Sequence, residues 1–337
     1  MVGVTGLDEL GWGDDLAAAA ARVPGARPGR VARVDYGFVT VMTSDGIVRA
    51  ASGDHAPVTG DWVLLVDIDG SSAVGEVLAR RSAFVRGNPL EGEARGEQVL
   101  AANVDTVFLV HALTGTPNLR RLERELVLAY ESGAAPVVVL TKADLADAPS
   151  DAAAEYASVA PGVDIVVTSV VDGRGIDELR SYAAGNRTIA LIGASGVGKS
   201  TLVNALVGDH VQETAAVRER DNRGRHTTTA RELVLIPGGG VLVDTPGLRA
   251  VSLWDADEGF AQAFADIEEL AARCRFADCA HRSEPGCAVR AAVARGDLDP
   301  DRLDNYLRLD QELDAAARRR EARIVSKAIR RFYRDRG

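Results

Sequence analysis

The sequence predicts a multidomain α/β protein with a small β-barrel first, a doubly wound α/β domain next and a helical segment last. Three observations carry this prediction. Short β-type runs broken by turn residues crowd into residues 29–86, and apolar strands alternate with helical stretches over residues 104–207. From residue 255 the pattern is helical, interrupted only by a Cys/His-rich segment at 274–287. At 337 residues the chain exceeds one ordinary core. The expected boundaries are a lead-in at 1–28, the barrel at 29–90, the α/β domain at 91–252 and the C-terminal domain at 253–337.

The lead-in reads as loosely ordered or briefly helical, with an alanine-rich stretch at 14–22. Candidate strands follow at 29–37, 38–42, 47–50, 61–66 and 73–78, with hairpin-like turns at Ser44-Asp45-Gly46 and Asp69-Gly70-Ser71. Five short strands in sixty residues fit an OB-fold, with another small β topology as the alternative. Residues 87–97 read as a charged linker. Strands are then expected at 104–110, 137–140, 165–168 and 189–192, and helices at 119–131, 152–157, 176–183 and 201–207. A hairpin at 233–236 and 241–243 completes the domain. Residues 311–336 read as one long basic helix.

The most specific stretch is Gly193-Ala194-Ser195-Gly196-Val197-Gly198-Lys199-Ser200, between an apolar strand and a helix. This is the strand–G-x-x-x-x-G-K-S–helix form of a phosphate-binding loop. Glycines let the backbone wrap closely, so that successive N–H groups and the helix start point at phosphate oxygens. Lys199 can reach the β- and γ-phosphates, and the Ser200 hydroxyl can sit on Mg²⁺.

Other pieces of a nucleotide site surround it. Asp244, in Asp244-Thr245-Pro246-Gly247 at a strand end, suits an Mg²⁺ carboxylate, and Gly247 can offer an N–H to a γ-phosphate. The polar stretch 221–230 holds Thr227, Thr228 and Thr229, of which Thr228 is the first choice to close on Mg²⁺ and Thr229 the second. His226 on that stretch can orient the attacking water; a surface histidine is the alternative reading. Thr141-Lys142-Ala143-Asp144 resembles the base-reading N-K-x-D signature of GTPases, with Thr141 in place of asparagine. Asp144 can accept from the guanine N1 and N2 groups. Thr168-Ser169-Val170 stands where a second base loop is expected. Since this base loop precedes the phosphate loop, the order implies a circularly permuted P-loop GTPase domain.

Composition narrows the partners. A hydrophobic content of 46% with 26% charged residues describes a soluble chain, and no apolar run approaches a membrane span. No membrane partner is expected. The N-terminus lacks the pattern of a secretory signal, so a cytoplasmic location is expected. Net charge is −10, which argues against a generic nucleic-acid coat. Yet residues 318–336 carry eight Arg and one Lys against Glu321 and Asp335, a balance of about +7. The three cysteines all lie in Cys274-x₄-Cys279-x-His281-x₅-Cys287. Four such ligands suit a closed tetrahedral Zn²⁺ site that fastens structure rather than catalysing.

The permuted order, Gly224-Arg225-His226-Thr227-Thr228-Thr229, Asp244-Thr245-Pro246-Gly247 and the Cys₃His segment together resemble the RsgA (YjeQ) family. These are bacterial ribosome small subunit-dependent GTPases. Residues 97–105, 118–124 and 284–287 add matching text, and the resemblance spans roughly residues 29–337. It implies an N-terminal OB-fold, a permuted GTPase domain and a C-terminal helical zinc-binding domain. It also implies hydrolysis of GTP to GDP and phosphate, stimulated by the 30S subunit during late maturation and coupled to release, with 16S rRNA as partner. Nucleotide contacts carry over to Thr141 through Asp144 and to Gly193 through Thr201, zinc ligands to Cys274, Cys279, His281 and Cys287, and the catalytic histidine to His226. A monomer is expected. A GTP-gated binding module with incidental hydrolysis and an ATP-using P-loop protein are the alternatives.

Overall fold

The computed structural model describes residues 6–87, 97–208, 232–244 and 256–334. A short 3-10 turn (Leu7–Leu10) and helix α1 (Asp14–Ala20) lead into five strands. These are β1 (Arg27–Asp35), β2 (Phe38–Thr43), β3 (Gly46–Ala51), β4 (Trp62–Ile68) and β5 (Ser71–Val77). Their pairing runs β1–β2–β3–β5–β4 and closes through β4–β1, with only β3–β5 parallel. The closed five-strand barrel is of OB type, as expected. Alternation along β2 sends Val39 and Val41 inward, where they meet Val31, Ala50, Val63, Leu65 and Val74.

The lead-in is briefly helical, as expected, and it is also packed onto the barrel. Leu10 is fully buried, and the Trp12 ring meets Trp62 edge-on at 4.9 Å. Beneath them lies Arg30, wholly buried on β1. Its guanidinium donates to the carbonyls of Leu10, Gly60 (3.3 Å) and Asn103 (2.9 Å), 5.3 Å from the Trp62 ring centre. Burial lowers its pKa to about 10, so it stays charged at neutral pH. One cation thus satisfies carbonyls from three distant segments.

The expected linker differs at its ends. Strands β6 (Ala83–Gly87) and β7 (Glu97–Ala102) form a two-stranded antiparallel sheet on either side of it.

The α/β region supplies β8 (Thr106–Ala112), α2 (Leu119–Ser132), β9 (Ala135–Thr141), α3 (Pro149–Val159) and β10 (Asp164–Val167). It continues with α4 (Ile176–Ser181), β11 (Thr188–Gly193), α5 (Lys199–Val207), β12 (Glu232–Leu235) and β13 (Val241–Asp244). Sheet order is β10-β9-β8-β11-β13-β12, parallel except for β12. Buried runs such as Ile189 to Ile192 are what a sheet covered on both faces requires. The core gathers Phe108, Val139, Leu179, Leu191, Leu202 and Leu242. The same sheet continues into the barrel, because β12 also pairs with β1 at Arg33↔Glu232.

Two compact units emerge, Met1–Pro117 with Ser132–Val251, and Asn118–Glu131 with Ser252–Gly337. The second holds α6 (Asp257–Ala263), α7 (Ala265–Ala271), α8 (Ala288–Arg295) and α9 (Pro300–Arg334). The long helix therefore starts earlier than residue 311. Most of α2 belongs here too, and its side chains explain why. Arg302, nearly sealed from solvent, holds Glu123 at 2.8 Å and Asp266 at 2.8 and 2.6 Å. Buried Asn305 donates to the other Glu123 oxygen. Arg124 grips Glu312 with two bonds of 2.6 and 2.8 Å.

Replacing Arg30 with Ala should strand three carbonyls and cost about 3 kcal/mol or more. A lowered melting midpoint for the Trp12 and Trp62 fluorescence checks this; an unchanged midpoint contradicts the role given to Arg30.

Candidate functional site

The C-terminal ends of parallel strands are where open α/β sheets bind ligands, and four predicted motifs leave the sheet there. Gly193 ends β11, Thr141 ends β9, Thr168 follows β10 and Asp244 ends β13. Gly193 has φ 155, and a Cβ there would stand 2.3 Å from the Val110 carbonyl oxygen, so only glycine lets β11 turn away beside β8. Gly196 and Gly198 also take positive φ. Helix α5 then starts at Lys199 with no side-chain cap, leaving its first-turn N–H groups open to an anion. Ser195, Ser200 and Thr201 are exposed, while Ala194 and Val197 are half-buried. Lys199 Nζ donates to the carbonyls of Gly193 (2.8 Å) and Ala194 within its own loop.

The base loop reaches this turn through side chains. Thr141 is buried, and its hydroxyl contacts the carbonyls of Val197 and His111, the latter at 3.2 Å. Lys142, in the left-handed region at φ 60, donates from Nζ to the Gly196 carbonyl at 2.8 Å. The structure therefore brings Thr141 and Lys142 onto Gly196 and Val197, although more than fifty residues separate them. The Ala143 N–H bonds the Thr168 carbonyl at 3.1 Å, tying in the second base loop. Ser169 is buried and accepts from the Asp172 N–H at 3.4 Å, which shapes its own turn. Asp144 points out into solvent, and Asp244 is half-buried. His226, Thr228 and Gly247 lie outside the described residues.

The sequence places Thr141 among the nucleotide contacts; its bonds to the Val197 and His111 carbonyls have no local signal, because a threonine at the end of an apolar strand is common.

A separate cluster lies in the second unit. The ligand atoms of Cys274, Cys279, His281 and Cys287 fall within 4.8 Å of one another, the one such metal-type group found among the described residues. His281 Nδ1 is 3.6 Å from Cys274 Sγ and 3.5 Å from Cys287 Sγ, and those two sulfurs are 4.0 Å apart. Zinc bond lengths in a tetrahedron give edges of about 3.8 Å for S···S and about 3.6 Å for S···N. The donor set fits one metal ion. Backbone N–H groups of Ala288 and Arg290 point at the Cys274 and Cys287 sulfurs at 3.3 and 3.5 Å, as they would at thiolates. Burial raises the Cys274 thiol, but N–H donors outweigh it and hold it below the ordinary value. For Cys279 the His281 N–H lowers the pKa, yet desolvation and the neighbouring thiols push it up to about 11. Three clustered thiols cannot all ionise without a cation between them. Glu284 braces the loop by accepting from the N–H groups of Arg282 (2.8 Å) and Ser283 (3.0 Å).

Among the described residues no helix is long and apolar enough to cross a membrane.

Comparison with known proteins agrees with this geometry. Residues 77–254 match the family model described as RsgA GTPase. A small ribosomal subunit biogenesis GTPase RsgA from Streptomyces coelicolor is 46% identical, covering 98% of this chain and 93% of that protein. One of the same name from Methanosarcina acetivorans is 42% identical, covering 92% and 86%. Among solved structures, YjeQ from Thermotoga maritima aligns with a TM-score of 0.64 at 28% identity, over 86% of this chain and 98% of that one. YloQ, a circularly permuted GTPase, aligns at 0.62 and 25%, over 87% and 96%. With the base-loop strands β8 to β10 preceding the phosphate loop, and a P-loop sheet, a closed barrel and a Cys₃His cluster in one chain, this protein belongs to the RsgA GTPase family.

Proposed function

We propose that the chain binds the small ribosomal subunit and hydrolyses GTP to GDP and phosphate there during late maturation, hydrolysis being coupled to release. The observation that carries the nucleotide assignment is the cross-link of Thr141 and Lys142 to Val197 and Gly196, which joins base loop and phosphate loop into one site. The relatives' printed names supply the ribosomal partner.

In this reading the N–H groups of the 193–200 turn and of the α5 start cradle the phosphates. Lys199 leaves its loop carbonyls for the β- and γ-phosphate oxygens. Ser200, Asp244 and Thr228 hold Mg²⁺, which supplies positive charge against the phosphates when bound. The Asp144 carboxylate accepts from guanine N1 and N2, a pairing adenine cannot make, with Ser169 shaping the second base loop. Gly247 offers its N–H to the γ-phosphate. His226 orients the attacking water.

Cys274, Cys279, His281 and Cys287 hold one structural Zn²⁺, all four positions being taken by protein. The barrel and the basic residues 318–336 meet 16S rRNA, mostly through phosphates. The chain acts in the cytoplasm, where small subunits are assembled.

GTP turnover measured with and without purified 30S subunits tests the reading. Slow turnover alone and strong stimulation by 30S are expected, with His226→Ala losing about 100-fold or more of the stimulated rate while still binding nucleotide. A rate indifferent to 30S contradicts the proposal, and an unaffected His226→Ala removes histidine from the chemistry.

Elemental analysis of the dialysed protein should give one zinc per chain. Cys279→Ser should lose most of it and lower the melting midpoint of the second unit; a metal-free wild-type chain that melts identically overturns the zinc assignment.

A further inference from the structure

Strand β1 changes partner part-way along its length. Arg27 to Arg30 pair with β4 inside the barrel, whereas Arg33 pairs with Glu232 of β12. Between these stretches the register against β2 shifts, leaving Ala32 as the extra residue of a β-bulge. A bulge bends its strand and re-aims the side chains beyond it. Here it delivers Arg33 to the edge of β12. Arg33 Nη1 lies 3.4 Å from Glu232 Oε1, while its Nε and Nη2 hold Asp35 Oδ2 at 3.2 and 2.9 Å.

Glu232 in turn stands directly opposite Asp244 in the β12–β13 ladder. Arg33, Glu232 and Asp244 therefore make one cross-strand row on three neighbouring strands, running from the barrel to the end of β13. Directly opposed residues of an antiparallel pair project to one face, and like charges so placed repel. The cation of Arg33 offsets one of the two carboxylates. Arg33 and Glu232 are 41% and 21% exposed, a setting in which an ion pair contributes little to stability. Stability alone is a weak reason for the bulge. Two residues past Arg33, Asp35 opens the β1–β2 turn, where Tyr36 is fully exposed. Whatever engages that turn is one ion pair from Arg33.

Resting on the reading of Asp244 as the metal-side carboxylate and of the barrel as the ribosome-facing part, we propose that Arg33 and Glu232 are positioning residues. They register β12 against the barrel, so that engagement of the barrel is relayed through the sheet to Asp244. Neither residue touches nucleotide; both act through Asp244.

The test uses the full-length protein and purified 30S subunits. Arg33→Gln and Glu232→Gln should each lower 30S-stimulated kcat by about three- to tenfold, the range for substitutions along a coupling connection. Turnover without 30S, GTP affinity, 30S affinity and melting midpoint should stay within about twofold or a few degrees, as for a half-exposed pair. Arg33→Lys, which keeps the charge, should retain most of the stimulation, and the double variant should be no worse than either single one. Variants stimulated as fully as wild type overturn the proposal, and so does stimulation lost only in proportion to 30S binding. A wild-type chain that 30S does not stimulate fails the proposed function, and this inference with it; normal wild-type stimulation with normal variants fails this inference alone.

Discussion

Two side chains, Thr141 and Lys142, hold together a nucleotide site whose halves the chain makes in reverse order. The base loop comes first, at the end of β9, and the phosphate loop only after two more strands and two more helices. Nothing covalent aligns them. The buried Thr141 hydroxyl and the Lys142 ammonium do so by meeting carbonyls of Val197 and Gly196. A hydroxyl has one proton to give, and here backbone oxygens already compete for it. In the proposed reading, guanine selection falls to Asp144 and the second base loop, while the Thr141 hydroxyl is engaged with backbone carbonyls. The threonine works as a clamp between loops.

The same economy recurs elsewhere: one arginine repeatedly gathers segments that sequence separates widely. Arg30 satisfies carbonyls of the lead-in, the barrel and β7's exit; Arg302 satisfies Glu123 and Asp266. Each is buried and fully partnered, which is the condition under which a buried cation is tolerable. Arg33 differs in being half-exposed, and its reach across the seam between barrel and sheet has more to do with alignment than with stability.

Much of this was legible in the residues. Short β-type runs broken by turn residues disclosed the five barrel strands, buried apolar runs disclosed the parallel sheet, and the glycine-rich loop and the Cys₃His spacing pointed to their chemistry directly. What escaped was long-range. Leu10 and Trp12 pack because Arg30 and Trp62 lie beneath them, which no local pattern records. Strands β6 and β7 are short and flank the charged stretch 87–97 that reads as a linker, so neither carries a strand signal of its own. Helix α2 looked like any amphipathic helix, but Glu123 and Arg124 choose partners some 180 residues downstream, at Arg302 (|i−j| 179) and Glu312 (|i−j| 188). The pairing of Arg33 with Glu232 spans 199 positions and depends on a one-residue bulge.

The central claim is that the upstream base loop and the downstream phosphate loop form a single guanine-reading site. Calorimetric binding of GDP, ADP and xanthosine diphosphate to the wild-type chain and to Asp144→Asn tests it most directly. The wild type should prefer GDP over ADP by about 100-fold or more, and Asp144→Asn should transfer that preference to the xanthosine nucleotide, whose C2 carbonyl oxygen accepts where the guanine 2-amino group donates. Equal binding of GDP and ADP, or a preference untouched by the substitution, would contradict it.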